Sequence, residues 1–247
     1  KHMELWKGMG FLSLISSLAW GLGYFGQPHI IVRFMAIRSR DEVPASRNIG
    51  MGWMLVTLIG SLSVGLAGLA YATENNVPID DPETIFIVLS DVLFNPWISG
   101  FLLAAILAAI MSTISSQLLV SSSSIVEDYY RRFFRRDASQ KELVLAGRLS
   151  VLVVALVALV IAWNPQANVL NIVSHAWAGF GAAFGPLVIL SLVWDKITRN
   201  GAMAGMLVGA IVVGAWIALG WSDWLYEIVP GFALSWLVTW AVSIMEG

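Results

Sequence analysis

Trp20-Gly21-Leu22-Gly23-Tyr24-Phe25-Gly26-Gln27-Pro28-His29 lies in the middle of an apolar run, 11–35, that is long enough to cross a bilayer as one helix. Three glycines and a proline fall within eight residues of it. Pro28 has no N–H to give to the carbonyl near Tyr24, and the glycines let the backbone bend or unwind there. Backbone groups freed at that depth need partners, and a cavity holding water, an ion or a solute supplies them. Two readings fit the spacing. One is a helix broken at the midplane around a binding site, as in many secondary transporters; the other is a kinked helix packed closely through its small residues. Trp20 and Tyr24 are one helical turn apart and share a face that suits an apolar solute.

Six further apolar runs surround this one, at 49–72, 98–126, 143–163, 169–194, 201–220 and 226–245. Each is long enough to span, and in hydrocarbon an isolated run of this length must be helical to pair its own backbone. The composition agrees: of 247 residues 58% are apolar and 12% charged, against about 25% charged in a soluble domain. The expected fold class is therefore an all-α, polytopic membrane protein with about seven transmembrane helices. There is no cysteine, so disulfides and thiol chemistry are excluded. The chain begins at Lys1 and stops two residues after its last apolar run, so it reads as part of a longer protein.

Charge sets the expected orientation. Of the 14 basic residues, Arg33, Arg38, Arg40 and Arg47 lie around the first connector; Arg131, Arg132, Arg135, Arg136, Lys141 and Arg148 around the third; Lys196 and Arg199 in the fifth. Only Lys1 and Lys7 fall elsewhere. The alternate connectors carry acids and prolines instead, among them Glu74, Asp80, Asp81, Glu83, Pro78, Pro165, Asn168, Asp223 and Glu227. Because basic residues stay cytoplasmic, seven spans start outside and finish inside. A short helix over 85–94 is expected on the outer surface. The basic and aromatic segment 127–136 reads as an anchor to anionic lipid, not as a nucleic-acid site.

The third span carries Ala104-Ala105-Ile106-Leu107-Ala108-Ala109-Ile110-Met111-Ser112-Thr113-Ile114-Ser115-Ser116, in which Ala105, Ala109, Ser112, Thr113 and Ser116 form one stripe. Neutral hydroxyl and carbonyl oxygens are the ligands a hard cation such as sodium prefers. The same hydroxyls also bond back to the preceding helical turn, and that reading stays open. The fifth span is a second Gly- and Pro-rich helix. Its His175, like His29, is expected to bond a neighbouring helix in preference to relaying protons. No serine-elbow, zinc-protease or phosphate-loop motif is present, so an enzyme is not expected.

Several blocks together are similar to the sodium:solute symporter family, and within it to bacterial sodium/proline symporters. They are the 21–30 block with Arg33-Phe34-Met35-Ala36; Leu93-Phe94-Asn95-Pro96-Trp97-Ile98; Ala105 to Ala109 with Met111-Ser112-Thr113; Ala138 to Val144; Ala176-Trp177-Ala178-Gly179-Phe180-Gly181-Ala182-Ala183-Phe184-Gly185-Pro186; and Tyr226 to Gly231, where Val229 is inserted before Pro230. The resemblance implies a bacterial inner-membrane protein with a leucine-transporter-type core. On that plan 1–247 is one transmembrane domain fragment, with 11–194 the second five-helix inverted repeat and 201–247 two additional helices. It implies sodium-coupled symport of a small amino acid, proline before other solutes. Trp20, Tyr24 and Pro28 would contact the solute, with Gln27 inferred from its place beside the break. The Ala109 carbonyl and the Ser112 and Thr113 hydroxyls would hold the co-transported sodium. The remaining ligands would come from the amino-terminal repeat of the same protein. A symporter for another solute such as pantothenate, a symporter-like input domain of a sensor kinase, and a structural membrane subunit are the alternatives.

Overall fold

The computed structural model describes residues 10–77, 81–163 and 169–247. Lys1, Lys7, Pro78, Asp80, Pro165 and Asn168 lie outside the described residues. Regular structure among the described residues is helical throughout: α1 (Phe11–Gly23), α2 (Pro28–Met35), α3 (Val43–Asn75), α4 (Ile85–Leu93), α5 (Pro96–Ser123), α6 (Gln140–Ile161), α7 (Val169–Val193), α8 (Arg199–Ala218) and α9 (Ile228–Glu246), with short 3-10 turns between some of them. Six helices are long and apolar enough to cross a membrane, and the chain is a multi-pass membrane protein. The seventh expected run, 11–35, is two half-helices. α1 stops at Gly23, Tyr24–Gly26 form a 3-10 turn, Gln27 is extended (φ −84°, ψ 113°), and α2 restarts at Pro28. Pro28 stands where its missing N–H is not needed.

Local chemistry explains the other boundaries. Asn95 caps α5 by accepting from the amides of Trp97 and Ile98, with Pro96 at the first helical position. The expected short helix at 85–94 is α4. The third run outlasts its apolar stretch, because α5 continues as a π-helix over Ser124–Phe134. Glu127 accepts from Arg131 at 2.9 Å, and Ser124 donates to Asp128 at 2.8 Å, so charged residues one turn apart carry the helix onward. The continuous helix has 39 residues, about 58 Å at a helical rise near 1.5 Å per residue. That exceeds a hydrocarbon core of about 30 Å, so one end of the helix projects beyond the core unless it is strongly tilted. Arg148, counted above with the connector, lies inside α6.

The described chain divides into two compact units, 10–35 with 155–247, and 36–154. In the first, α7, α8 and α9 pack on one another, and α7 and α9 also pack on α1. Gly201, Gly205 and Gly209 form one edge of α8, all buried. A side chain at Gly201 would meet Ser243, one at Gly205 would meet Thr239, and one at Gly209 would meet the Ala182 carbonyl, which Pro186 has no N–H to satisfy. Ser235, Thr239 and Ser243 complete the α9 side, each at most 1% exposed. Small residues spaced by four let helix backbones approach in a medium that offers no hydrophobic drive. In the second unit, α4 lies against Gly68 of α3, Ser99 donates to the Ser90 carbonyl at 2.7 Å, and Ser122 donates to the Gly147 carbonyl at 2.9 Å.

Candidate functional site

The break in the first run is braced by α7. Gly26 lies against the backbone of Phe180 and Gly181, and Gly181 approaches Gly23 so closely that a Cβ there would be 2.7 Å from the Gly23 Cα. Only glycine allows this crossing, because any side chain at these three positions would occupy space already held by the other helix. The consequence is that α1 and the 3-10 turn meet α7 along the stretch from Trp177 to Gly181.

Trp177 organises the site. Its indole N–H donates to the Trp20 carbonyl at 2.9 Å, and its own carbonyl accepts from the Gln27 amide at 3.3 Å. One residue thus serves polar groups on both sides of the break. Its ring stacks on Trp20 (centroids 5.6 Å apart, planes 15° apart) and meets the Tyr24 ring edge-on (4.8 Å, 86°). Trp20 also stacks on Tyr226 (6.0 Å, 16°), whose hydroxyl donates to the Ser174 carbonyl at 2.8 Å. Aromatic pairs of this kind add about 0.5–1.5 kcal/mol each beyond burial. At the restart, the Gln27 carbonyl accepts from the amides of Ile30 and Ile31, both at 3.0 Å.

Of the residues expected at the solute site, the structure gathers Trp20, Tyr24 and Gln27 around Trp177, with Pro28 heading the next half-helix. Gln27 is 5% exposed and Tyr24 47% exposed, so the amide is fixed within the packing while the phenol faces outward. Sequence reading missed Trp177 and Tyr226 as members of this cluster. Both residues fall in blocks that carry the family resemblance, but neither was given a role in the site.

The expected ion ligands belong to the other unit. Ala109, Ser112 and Thr113 are exposed on α5. Thr113 donates its hydroxyl to the Ala109 carbonyl at 3.2 Å, and Ser116 donates to the Ser112 carbonyl at 3.0 Å. The back-bonding anticipated for this stripe is present at Thr113 and Ser116. It also sets a hydroxyl oxygen and a carbonyl oxygen side by side, both neutral.

His175 bonds a neighbouring segment, as expected, but its partner was not anticipated. Glu227, read above as a connector acid, is 1% exposed, and its Oε1 lies 2.6 Å from His175 Nδ1.

Residues 7–209 match the family described as the sodium:solute symporter family. The high-affinity proline transporter PutP of Bacillus subtilis is 59% identical over 242 residues, which is 98% of this chain and 51% of that protein. Sodium/proline symporter 2 of Staphylococcus saprophyticus is 54% identical over 252 residues, covering 98% of this chain and 49% of that protein. A sodium/proline symporter of Staphylococcus aureus aligns with the same identity and coverage. The chain spans about half the length of the curated relatives it matches.

Proposed function

This chain belongs to the sodium:solute symporter family, and on that premise we propose that the full-length protein carries proline inward with sodium by alternating access. The observation that carries the reading is the half-helix break at Tyr24–Gln27, braced by Trp177 and lined by aromatic rings. A rigid aromatic wall beside backbone carbonyls and a fixed amide suits a small zwitterion with an apolar ring. Trp20, Tyr24, Gln27 and Pro28 would form the solute side, and the Ala109 carbonyl with the Ser112 and Thr113 hydroxyls the sodium side. Sodium is here a transported substrate, and coupling requires only that it bind one conformation of the carrier more tightly than the other.

The same reading extends to architecture. Residues 11–194 would form the second five-helix repeat of a leucine-transporter-type core, with 201–247 as two additional helices and an amino-terminal repeat supplying the remaining ligands. The charge alternation supports a bacterial inner-membrane orientation with the start of this chain outside and its end cytoplasmic. On that orientation the segment 127–136 would rest on anionic lipid headgroups. The relatives' names, each specifying proline, favour proline over pantothenate.

The test is uptake of labelled proline by the full-length protein in vesicles under an imposed sodium gradient, compared with Trp20→Ala. Removing the ring that stacks on Trp177 and Tyr226 is expected to raise the apparent proline KM about tenfold or more at saturating sodium. No sodium-driven uptake by the unaltered protein rejects the transport reading, and an unchanged KM in Trp20→Ala rejects the placement of the solute.

A further inference from the structure

The segment before α9 is bonded to three separate places in the first unit. Gly220 takes a left-handed conformation (φ 70°) that turns the chain out of α8, and a 3-10 turn over Trp221–Asp223 leads to Tyr226 and Glu227. The Tyr226 amide donates to the Ser16 hydroxyl of α1 at 3.1 Å, its phenol donates to the Ser174 carbonyl of α7 at 2.8 Å, and its ring stacks on Trp20. The next residue, Glu227, directs its carboxylate to His175 of α7 at 2.6 Å. Tyr226 and Glu227 thus bond to the neighbouring residues Ser174 and His175, two rungs in register between the same elements.

The Glu227 rung is the unexpected one. Its carboxylate is 1% exposed and does not cap the helix it precedes, although the helix N-terminus favours negative charge. A carboxylate removed from water is strongly disfavoured without a partner, so its hydrogen bond to the imidazole fixes where this segment sits along α7. His175 is 42% exposed and opens on a polar cavity of about 280 Å³ lined also by Asn171, Ser222 and Asp223. The burial is therefore one-sided, and the pair is anchored from the α9 side. The Glu227–His175 bond and the Tyr226–Ser174 bond together set the register between 226–227 and 174–175, and with it the position of the Tyr226 ring on Trp20.

We infer that Glu227, through its bond to His175, is a positioning residue for the broken-helix site: it holds Tyr226 on Trp20 and thereby sets the solute affinity of the Trp20 face. This rests on the solute-site reading above. It assigns a role in that site to the α8–α9 connector, which lies far from the break in sequence. Glu227 touches no solute; it acts through Tyr226.

The test uses the full-length protein in proteoliposomes, with proline KM and Vmax measured at saturating sodium. Glu227→Ala is expected to raise KM by about fivefold to tenfold, the scale of losing one ordinary hydrogen bond. Vmax per inserted protein should stay within about twofold, as for an interaction that acts on binding alone. Glu227→Gln, which keeps an acceptor for the imidazole N–H, should restore most of the affinity. If Glu227→Ala does not insert, His175→Ala is expected to show the same split. In the double variant His175→Ala with Glu227→Ala, KM should rise no further than in the worse single variant. Unchanged KM in the inserted single variants, or a fall in Vmax and abundance without a change in KM, overturns the inference. Failure of the solute-site reading is separate, because it appears as an unchanged KM in Trp20→Ala whatever Glu227 does.

Discussion

Gly26→Val in the full-length protein is expected to abolish sodium-driven proline uptake while leaving the protein in the membrane. Gly26 is buried in the turn of the broken helix, and a Cβ there would meet the Phe180 carbonyl and come within 2.7 Å of the Gly181 Cα. Those are backbone atoms of α7, which cannot rotate away as a side chain can. Valine therefore forces the turn off α7, at an overpacking cost of about 1–3 kcal/mol. The damage to function is larger than that figure suggests. Trp177 bonds Trp20 on one side of the turn and Gln27 on the other, so a displacement of about 1 Å moves every group of the site relative to its neighbour, and misplacement on that scale costs about a hundredfold. Gly214→Ala on α8, where a Cβ meets nothing within 4 Å, is the matching control and should transport normally. Uptake in Gly26→Val within about twofold of the unaltered protein would mean that the close crossing does not hold the site.

The second large effect is on sodium. Replacing Ser112 or Thr113 by alanine is expected to raise the sodium concentration for half-maximal uptake about tenfold for each residue, the equivalent of about 1.4 kcal/mol lost per oxygen ligand. The helix itself should tolerate the change. Thr113 gives its hydroxyl to the Ala109 carbonyl within the same helix, and such a bond contributes little to insertion. Ser61→Ala on α3 distinguishes an ion ligand from a back-bonded hydroxyl, since Ser61 makes the same kind of bond, to the Leu58 carbonyl at 3.0 Å. Its sodium activation should not move. Unchanged activation in both Ser112→Ala and Thr113→Ala removes the sodium site from this stripe.

These two predictions draw on features that differ in how plainly the sequence displayed them. The break was legible because its causes are local: Pro28 lacks an N–H, and Gly21, Gly23 and Gly26 weaken the helix within a few residues of it. The hydroxyl stripe on α5 was legible from helical spacing alone. Trp177 was not, because its bonds to Trp20 and Gln27 join residues 157 and 150 positions away, and no local pattern encodes such a pairing. Glu227 misled for a related reason. An acid near Asp223, at the edge of an apolar run, has the composition of a solvated connector, and only the fold brings His175 to it. The end of the third span's helix was read too early, because Glu127, Asp128 and Arg131 interrupt the apolar pattern while the Glu127–Arg131 and Ser124–Asp128 bonds accompany its continuation as a π-helix.

Solute protection of a single thiol tests most directly whether the broken helix is where the solute binds. This chain has no cysteine of its own, so Tyr24→Cys can be labelled with a water-soluble maleimide in a full-length background cleared of other thiols. The position should react, and proline should slow the reaction about tenfold or more when sodium is present and not when it is replaced by choline. A thiol that reacts at the same rate with and without proline in sodium, in a protein that still transports proline, would contradict the account.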